Sequence, residues 1–260
     1  MDLKEFEGKI VIVTGAGQGQ GEHLAKRFHE CGCKVALLDL NSDALEKVVS
    51  DVNPTDAYEF KAYPVNVADS DAVTGAIRDF GEHWGKIDIL INNAGVLHKS
   101  MIETTTDDHI NLMIDVNLKG PMYCTRAAVP YMKENGGNII NVASILATFP
   151  NTGAGAYGAA KAGMILLTRV WAAEFGPYKI RVNCYAPGTI KTPMMDEIFA
   201  QHREESKLAQ IPMREFGEVE DTFKLAAFFC SEQAHYINGQ TIGLDGGIWA
   251  TQTPTASWKK

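Results

Sequence analysis

A tyrosine and a lysine four residues apart are the side chains of this sequence best suited to acid–base chemistry. Tyr157 and Lys161 lie in a segment predicted to be helical, so both project from one face and their polar ends can meet. A phenol with a pKa of about 10 is a poor base at neutral pH, and a neighbouring ammonium group lowers that pKa. Tyr157 is therefore a candidate proton acceptor from an alcohol and proton donor to a ketone.

A serine precedes this pair at the predicted carboxyl end of the fifth strand. Open α/β sheets bind their ligands at the carboxyl ends of strands, and the hydroxyl of Ser144 can hold a carbonyl oxygen against Tyr157. Each residue also has an ordinary structural interpretation. Tyr157 can be a packed aromatic residue, Lys161 a solvated helix charge, and Ser144 a strand-end cap.

A glycine-rich loop follows the first predicted strand and leads into a helix, with the sequence TGAGQGQG at residues 14–21. Glycines at such a junction let a pyrophosphate approach the backbone, while the start of the helix supplies free N–H groups and a positive potential. Taken alone, the loop fits equally well a tight turn that only packs helix on strand.

An aspartate at the end of the second strand favours the dinucleotide interpretation. The Asp39 carboxylate can accept hydrogen bonds from both adenosine ribose hydroxyls, and it would repel a 2′-phosphate. Gln18 and Gln20 are neutral where a site for such a phosphate would gain from Arg or Lys. These features predict NAD rather than NADP. The alternative is that Asp39 is a helix cap or a turn residue.

The elements that position these residues follow an alternating pattern. Short apolar runs rich in β-branched residues alternate with longer amphipathic segments, which is typical of a parallel sheet with helices on both faces. We predict strands at residues 9–14, 34–39, 60–65, 87–91, 138–143, 180–184 and 241–244. The longest predicted helices span residues 107–131 and 155–175.

The sequence contains no linker, repeat or low-complexity tract that would divide it. We therefore predict a single α/β domain over residues 1–260, with a Rossmann-type, doubly wound parallel sheet of about seven strands. A tail from about residue 251 to residue 260 lacks periodicity. We expect it to be mobile, or to dock through Trp258 against a neighbouring subunit.

The glycine spacing, with Gly15, Gly19 and Gly21, resembles that of the classical short-chain dehydrogenase/reductase family. Any one match is common by chance, but the order and spacing of the matches along nearly the whole chain are highly specific. The further matches are Asn92-Asn93-Ala94-Gly95, Asn117 within Val116-Asn117-Leu118-Lys119-Gly120, Ser144, Tyr157 with Lys161, Pro187-Gly188, and Asp245-Gly246-Gly247.

The resemblance implies catalytic roles for Ser144, Tyr157 and Lys161, with Lys161 also binding the nicotinamide ribose. It implies that Asn117 supports a proton relay through water. The cofactor contacts predicted from the loop, the second strand and the resemblance together are Gly15, Gln18, Gly19, Gln20, Gly21, Asp39, Leu40, Asn66, Val67, Asn93, Ala94, Gly95, Tyr157, Lys161, Pro187, Gly188, Ile190 and Thr192.

Two positions depart from the family pattern. Asn66, implied to lie at the adenine with Val67, stands where the family commonly has aspartate; it keeps a carbonyl acceptor and adds an amide donor. Gln20 stands where an apolar residue is usual. Its side chain is expected to face either the phosphates or the nicotinamide.

Substrate recognition is predicted between residues 189 and 216, the least regular part of the second half. Its apolar residues favour a bulky apolar alcohol or ketone, although the same residues can simply pack the segment onto the sheet. They are Ile190, Met194, Met195, Ile198, Phe199, Leu208, Ile211, Pro212, Met213 and Phe216. We expect His98 and Lys99 at the rim of the pocket, and Phe149 and Tyr185 in its walls.

These features predict an NAD(H)-dependent oxidoreductase that interconverts a secondary alcohol and a ketone, with an apolar or cyclic substrate such as a hydroxysteroid. The alternatives are a polyol or sugar-alcohol dehydrogenase and a 3-oxoacyl thioester reductase; the latter usually goes with NADP and a basic docking patch, which Asp39 and the acidic charge disfavour. An epimerase or dehydratase acting on a nucleotide sugar would need a longer C-terminal region. An NAD-sensing binding module would not need the serine, tyrosine and lysine together.

Composition excludes several classes of partner. With 24 Lys and Arg against 32 Asp and Glu, the net charge of −8 disfavours nucleic acid as the main partner. The five cysteines have no metal-site spacing, so reduced thiols and no metal are predicted. Without a signal peptide or an apolar run near the ~18 residues that span a bilayer, a cytoplasmic location and no membrane partner are expected. The two longest helices are apolar on several faces, which indicates self-association, and the resemblance implies a homotetramer.

Overall fold

The computed structural model describes residues 2–52, 58–193 and 203–258 of the chain. Seven parallel strands form one sheet in the order β3-β2-β1-β4-β5-β6-β7, which confirms the predicted doubly wound sheet. The strand order reverses between β1 and β4, where ligands bind in such sheets. The strands are β1 (Ile10–Thr14), β2 (Lys34–Asp39), β3 (Phe60–Pro64), β4 (Ile89–Asn92), β5 (Gly137–Val142), β6 (Ile180–Pro187) and β7 (Thr241–Leu244).

The largest difference from the predicted strands is at β6. It runs to Pro187, whereas the prediction ends at residue 184. The additional residues pair with β7, where Pro187 lies opposite Leu244. This pairing carries the strand farther toward its carboxyl end, so that Gly188 and Thr189 start the following loop next to the cavity described below.

Helices cover both faces of the sheet because side chains alternate along each strand. Val11 and Val13 of β1 face one set of helices, α1, α2 and α8. Ile12 faces the other set, α3, α5 and α6. The helices are α1 (Gly19–Glu30), α2 (Ser42–Ser50), α3 (Ser70–Trp84), α4 (Asp107–Ile114), α5 (Gly120–Ala128), α6 (Gly155–Phe175), α7 (Glu204–Leu208) and α8 (Val219–Cys230). None of the helices in the described ranges has the length and apolarity needed to cross a membrane.

The predicted helical segment over residues 107–131 is present, but it is not one regular α-helix. A π-helical segment, Asp115–Lys119, separates α4 from α5. The Asn117 side-chain amide donates a hydrogen bond to the Met113 carbonyl. In a regular α-helix that carbonyl would accept from the backbone N–H group four residues later. Pro121 has no N–H to donate to the carbonyl of Asn117. Both features disrupt regular helical hydrogen bonding at this point.

A chain of buried polar side chains connects two strands to the helices on one face. Asn92 at the end of β4 donates to Thr125 of α5 (3.1 Å) and to Asn141 of β5 (2.9 Å). Asn141 donates to Thr168 of α6 (2.9 Å), whose hydroxyl donates to the Met164 carbonyl (2.8 Å). These side chains are almost completely buried, so the hydrogen bonds fix the position of α6 relative to the sheet.

Candidate active site

A cavity of about 980 Å³ lies at the carboxyl ends of the strands. Its walls come from the loops after β1, β2, β3, β4, β5 and β6, and from the start of α6. Of the residues predicted to act in catalysis or cofactor binding, all but Gly21 and Asn117 line it. The lining set is Gly15, Gln18, Gly19, Gln20, Asp39, Leu40, Asn66, Val67, Asn93, Ala94, Gly95, Ser144, Tyr157, Lys161, Pro187, Gly188, Ile190 and Thr192.

The loop after β1 is a tight turn that requires glycine. Gly15 and Gly19 adopt φ angles of 66° and 59°, in the left-handed region. A Cβ atom at Gly15 would lie 2.7 Å from the Cα atom of Ala94. Helix α1 begins at Gly19, and Gln18 makes no side-chain capping hydrogen bond. The first N–H groups of α1 therefore remain available to an anion at the cavity.

Gly21 was predicted as a cofactor contact, but the structure gives it a packing role. A Cβ atom at this position would lie 2.0 Å from the Gly15 carbonyl oxygen and 2.5 Å from Nδ2 of Asn93. Only glycine therefore allows α1 to approach the turn this closely. Gly21 does not line the cavity, and sequence spacing alone cannot distinguish a glycine that faces a ligand from one that packs against the backbone.

The close packing at Gly21 predicts that a larger side chain there destabilises the fold. We expect Gly21→Ala to lower the free energy of unfolding by about 1–3 kcal/mol, the usual cost of overpacking, and Tm by about 2–4 °C per kcal/mol. The control is Gly75→Ala in α3, where an added Cβ meets nothing within 4 Å. This control should gain about 0.5–1 kcal/mol, because alanine is favoured over glycine inside helices. Equal unfolding midpoints for the two variants would contradict the packing role.

Asn93 holds the glycine turn in place. Its side-chain amide donates to the carbonyls of Thr14 (2.9 Å) and Gly15 (3.2 Å). The Thr14 hydroxyl in turn accepts from the backbone N–H groups of Asn93 and Ala94, both at 3.0 Å. The amide hydrogens of Asn93 are thus used within the chain, so its side chain positions the turn that a cofactor would contact.

The carboxylate of Asp39 is fixed at one end of the cavity. One oxygen accepts from the Gly17 N–H group and the other from the Asn41 N–H group, each at 2.9 Å. The turn role considered as an alternative for Asp39 is therefore present. Each carboxylate oxygen can accept more than one hydrogen bond, so the side chain can also bind hydroxyl groups of a ligand.

The candidate catalytic side chains Ser144, Tyr157 and Lys161 lie close to one another in the cavity wall. Ser144 is the second residue after β5, is only 7% exposed, and accepts a hydrogen bond from the Leu146 N–H group (3.1 Å). It therefore caps the short 3-10 turn Ile145–Ala147 as well as lining the cavity, and its hydroxyl also interacts with the Tyr157 hydroxyl. Tyr157 and Lys161 project from the first two turns of α6.

The expected lowering of the Tyr157 pKa by Lys161 is not found. Burial raises the pKa of Tyr157, and the Ser144 hydroxyl opposes this only in part. The Lys161 ammonium donates to the Val142 carbonyl (2.8 Å) and lies 5.8 Å from the centre of the Tyr157 ring. Burial also lowers the pKa of Lys161 to about 8, against an opposing effect of Cys184. The chain alone therefore keeps the phenol protonated at neutral pH.

Asn117 does not reach the cavity through its side chain. That side chain is fully buried; it donates to the carbonyls of Val96 and Met113, both at 2.9 Å, and accepts from the Val96 N–H group (3.2 Å). Any contribution of Asn117 to a proton relay would have to use its backbone carbonyl, which Pro121 cannot engage. The sequence indicated Asn117 itself, but not that its backbone carbonyl rather than its side chain is the group left for such a relay.

Of the six described apolar residues predicted for the substrate segment, two line the cavity. Ile190 and Ile211 line the cavity, whereas Leu208, Pro212, Met213 and Phe216 do not. Met194, Met195, Ile198 and Phe199 lie outside the described residues. Two polar residues of the segment that were not predicted from the sequence, Lys207 and Gln210, also line the cavity.

Of the four residues expected at the rim or in the walls of the cavity, His98 and Tyr185 do not line it. Phe149 and Lys99 line the cavity, as predicted. Tyr185 is completely buried in the core, because its position in the alternation of β6 turns it toward the helices. His98 stacks on His109, with ring centres 3.5 Å apart. The irregular loop after β4 gave no periodicity from which this direction could be predicted.

The C-terminal segment forms part of the cavity wall, which sequence analysis did not predict. Thr251, Gln252 and Pro254 line the cavity. The Trp258 indole N–H group donates to the Pro212 carbonyl (3.0 Å), and the Arg214 guanidinium lies 5.6 Å from the centre of the indole ring. Trp258 therefore contacts its own chain, while its side chain remains 59% exposed.

Comparisons with known proteins agree with this geometry. A family model described as Enoyl-(Acyl carrier protein) reductase matches residues 15–249. The chain is 35% identical over 244 residues to a 3-oxoacyl-(acyl-carrier-protein) reductase of Thermotoga maritima, covering 94% of this chain and 98% of the relative. It is 34% identical over 247 residues to a meso-2,3-butanediol dehydrogenase of Serratia marcescens, covering 95% and 96%.

A solved structure has the same architecture. The crystal structure of a 3-ketoacyl-(acyl-carrier-protein) reductase from Brucella melitensis complexed with NADH superimposes with a TM-score of 0.85 and 33% sequence identity. The alignment covers 94% of this chain and 99% of that one.

Proposed function

Because the chain belongs to the classical short-chain dehydrogenase/reductase family, we propose that Ser144, Tyr157 and Lys161 interconvert a secondary alcohol and a ketone with NAD(H). As a member of this family the chain is an oxidoreductase that acts on CH–OH groups. The observation that carries the proposal is the convergence of these three side chains in a cavity whose other end has a glycine turn and a fixed aspartate.

The residues of the cavity fit NAD. A close backbone approach at Gly15 and the uncapped start of α1 suit a pyrophosphate, and Asp39 suits the adenosine ribose. The side-chain oxygen of Gln20 is buried at the cavity without a hydrogen-bond partner among the described residues, so it is available to a bound group. We assign Asn66 and Val67 to the adenine. NAD(H) supplies or accepts the hydride when bound.

In ketone reduction, the roles of the side chains follow from their protonation. The Ser144 hydroxyl donates a hydrogen bond to the substrate carbonyl and orients it. Tyr157, kept protonated by burial, supplies the proton of the new hydroxyl group as the carbonyl carbon receives the hydride. The Lys161 ammonium, 5.8 Å from the centre of the Tyr157 ring, is the nearby donor from which the remaining phenolate can recover a proton.

We assign the restoration of that proton to Lys161 and a water at the backbone carbonyl of Asn117. Both residues closely approach Gly95: a Cβ atom there would be 2.9 Å from Oδ1 of Asn117 and 3.4 Å from Nζ of Lys161. The absence of a side chain at Gly95 thus keeps the path between them short. Asn117 acts here as a positioning residue, with its side chain holding the π-helical segment in place.

For the substrate, we propose a secondary alcohol or ketone with an apolar body, of which a hydroxysteroid is one example. Apolar side chains that support this include Val96, Leu97, Phe149 and Ile211. A 3-oxoacyl thioester is the second candidate, because the Thermotoga maritima relative is named as a reductase of that substrate class.

The test is a spectrophotometric panel of steroid, cyclic, diol and 3-oxoacyl substrates with NADH and NAD. We expect NADH oxidation with at least one ketone and formation of the corresponding secondary alcohol. Tight NADH binding without turnover on any member would support the sensing module instead. Conversion of a nucleotide sugar without net change in NADH would support an epimerase.

The lowered pKa of Lys161 predicts a pH dependence of cofactor binding. The ammonium is charged below pH about 8 and neutral above it, so a hydrogen bond to the nicotinamide ribose loses its charge as the pH rises. We expect NADH affinity, measured by fluorescence titration, to fall about tenfold above this pH, the value of a weak charge-assisted hydrogen bond. Lys161→Met should bind NADH more weakly and without this pH dependence. The same decline in that variant would exclude Lys161 as its source.

We also propose self-association through α5 and α6, as a homotetramer. Met122 is 42% exposed on α5, while Leu166 and Val170 are 61% and 40% exposed on α6, so large apolar side chains face outward on both helices. Sedimentation equilibrium is expected to give about four times the chain mass. A monomer at micromolar concentration would refute the proposal, and Leu166→Glu should weaken the assembly.

A further inference from the structure

Two lysines bring positive charge to the substrate end of the cavity. Lys99 lies in the loop after β4, and Lys207 lies on α7; both line the cavity. The Ser100 N–H group donates to the Gly153 carbonyl (2.9 Å), which ties the Lys99 loop to the segment that enters α6. Lys99 therefore lies on the side of Tyr157. Sequence analysis expected an apolar substrate segment and gave Lys207 no role.

Neither lysine has an acidic partner within residues 2–52, 58–193 and 203–258. The ion pairs of those residues do not include Lys99 or Lys207. Lys207 is half-buried, and burial lowers its pKa, with the charges of Lys99 and Arg203 acting in the same direction. The two cavity lysines are thus near enough to repel each other, and an anion between them would relieve that repulsion.

The carboxylates of the described cavity wall do not compensate this charge. They are Asp39 and Asp115. Asp39 is held by two backbone N–H groups beside the glycine turn, and Asp115 pairs with Lys119 (2.8 Å). The chain has a net charge of −8. Two cations that have no acidic partner in the described structure therefore give the substrate end of the cavity a local charge of opposite sign.

The cofactor has its own anion site elsewhere in the cavity. The turn around Gly15 and Gly19 and the uncapped start of α1 suit its pyrophosphate. Lys99 and Lys207 therefore remain for the substrate. The same cavity wall includes the apolar side chains of Phe149 and Ile211, which suit an apolar part of a substrate.

Building on the proposed function, we propose that the substrate is a secondary alcohol or ketone that also carries a carboxylate or similar anionic group. Lys99 and Lys207 bind that group, while the reacting carbon lies against Tyr157 and an apolar spacer occupies the space between. A neutral, wholly apolar alcohol would offer no counter-ion to the half-buried Lys207.

The test uses oxo acids of increasing length, each matched with its methyl ester: 3-oxobutanoate, 4-oxopentanoate, 5-oxohexanoate and 7-oxooctanoate. We expect kcat/KM of NADH-dependent reduction to be about tenfold higher for the acid than for its ester at the best length, as one charge-assisted hydrogen bond would give. Lys99→Gln and Lys207→Gln should each remove about that advantage and change kcat/KM for the ester less than about twofold.

Lys224→Gln provides the matched control. It removes the same charge from α8, where Lys224 pairs with Asp221 (3.7 Å) away from the cavity, and should leave both substrates unaffected. The inference is overturned if the ratio of acid to ester is the same in the wild type and both cavity variants. It is also overturned if those variants change only the KM of NADH, because the lysines would then serve the cofactor.

A binding measurement separates this inference from the proposed function. Calorimetry with hexanoate and with methyl hexanoate, in the presence of NADH, requires no turnover. If no ketone is reduced but hexanoate binds better than its ester and the preference disappears in Lys207→Gln, the anion site stands and the proposed reaction fails. If ketones are reduced but hexanoate has no advantage in binding or its oxo analogues in rate, the reaction stands and the anion site is refuted.

Discussion

Tyr157→Phe is expected to lower kcat for NADH-dependent ketone reduction by about 10²–10⁴-fold, the range contributed by a positioned acid or base. The variant keeps the aromatic ring and loses only the hydroxyl group that would supply the proton. Because the ring remains packed in the first turn of α6, NADH affinity should change less than about threefold, well below the loss of a charge-assisted hydrogen bond. The measurements are steady-state kinetics and fluorescence titration of NADH.

A second tyrosine serves as the control for this substitution. Tyr178 is 39% exposed outside the cavity, and its ring contacts Lys133 through a cation–π interaction that phenylalanine can retain. Tyr178→Phe should therefore keep the wild-type rate. If Tyr157→Phe were equally active, the proton would have to come from another group, and the proposed mechanism would be abandoned.

The second large effect is on cofactor choice. We expect the wild-type chain to prefer NADH over NADPH by about 10²-fold or more in kcat/KM, because NADPH would lose charge-assisted hydrogen bonds and meet a like charge. Asp39→Asn keeps the shape and one oxygen acceptor while removing the negative charge. The preference should fall at least about tenfold, mainly through a lower KM for NADPH.

Asp43→Asn is the matched control for charge. Asp43 lies in the first turn of α2, close in sequence to Asp39, but it does not line the cavity. Removing its charge should leave the cofactor preference unchanged. An NADPH preference in the wild type, or an unchanged ratio in Asp39→Asn, would refute the role given to Asp39.

The features predicted well from sequence were those with local periodicity. The spacing of Tyr157 and Lys161 indicated one helical face, and the alternation of apolar runs and amphipathic segments indicated the sheet. The glycine turn was recognised because positive φ angles and close backbone contacts leave few other residues possible. Which glycine of the turn faces the cavity and which, like Gly21, packs against the backbone could not be predicted. That distinction depends on contacts between segments far apart in the chain.

The features missed were those decided by tertiary contacts. The ammonium of Lys161 donates to Val142, a partner on a different element, so the expected effect on the Tyr157 pKa did not follow from helical spacing alone. Lys207 and the C-terminal segment reach the cavity from irregular regions without a repeating pattern. Side-chain direction is also hard to predict there, as His98 shows by stacking on His109.

The hydrogen-bonded asparagines and threonines beneath α6 fix the inner face of this helix to the sheet, whereas its outer face is exposed. Its inner side is tethered through Thr168 to Asn141 of the sheet, independently of the outward-facing Leu166 and Val170. If the outer face of α6 forms the subunit contacts proposed above, those contacts can therefore be redesigned, or can drift over evolutionary time, without displacing Tyr157 in the first turn of the helix. A single-subunit version of the protein should then be attainable by changing the outer face alone.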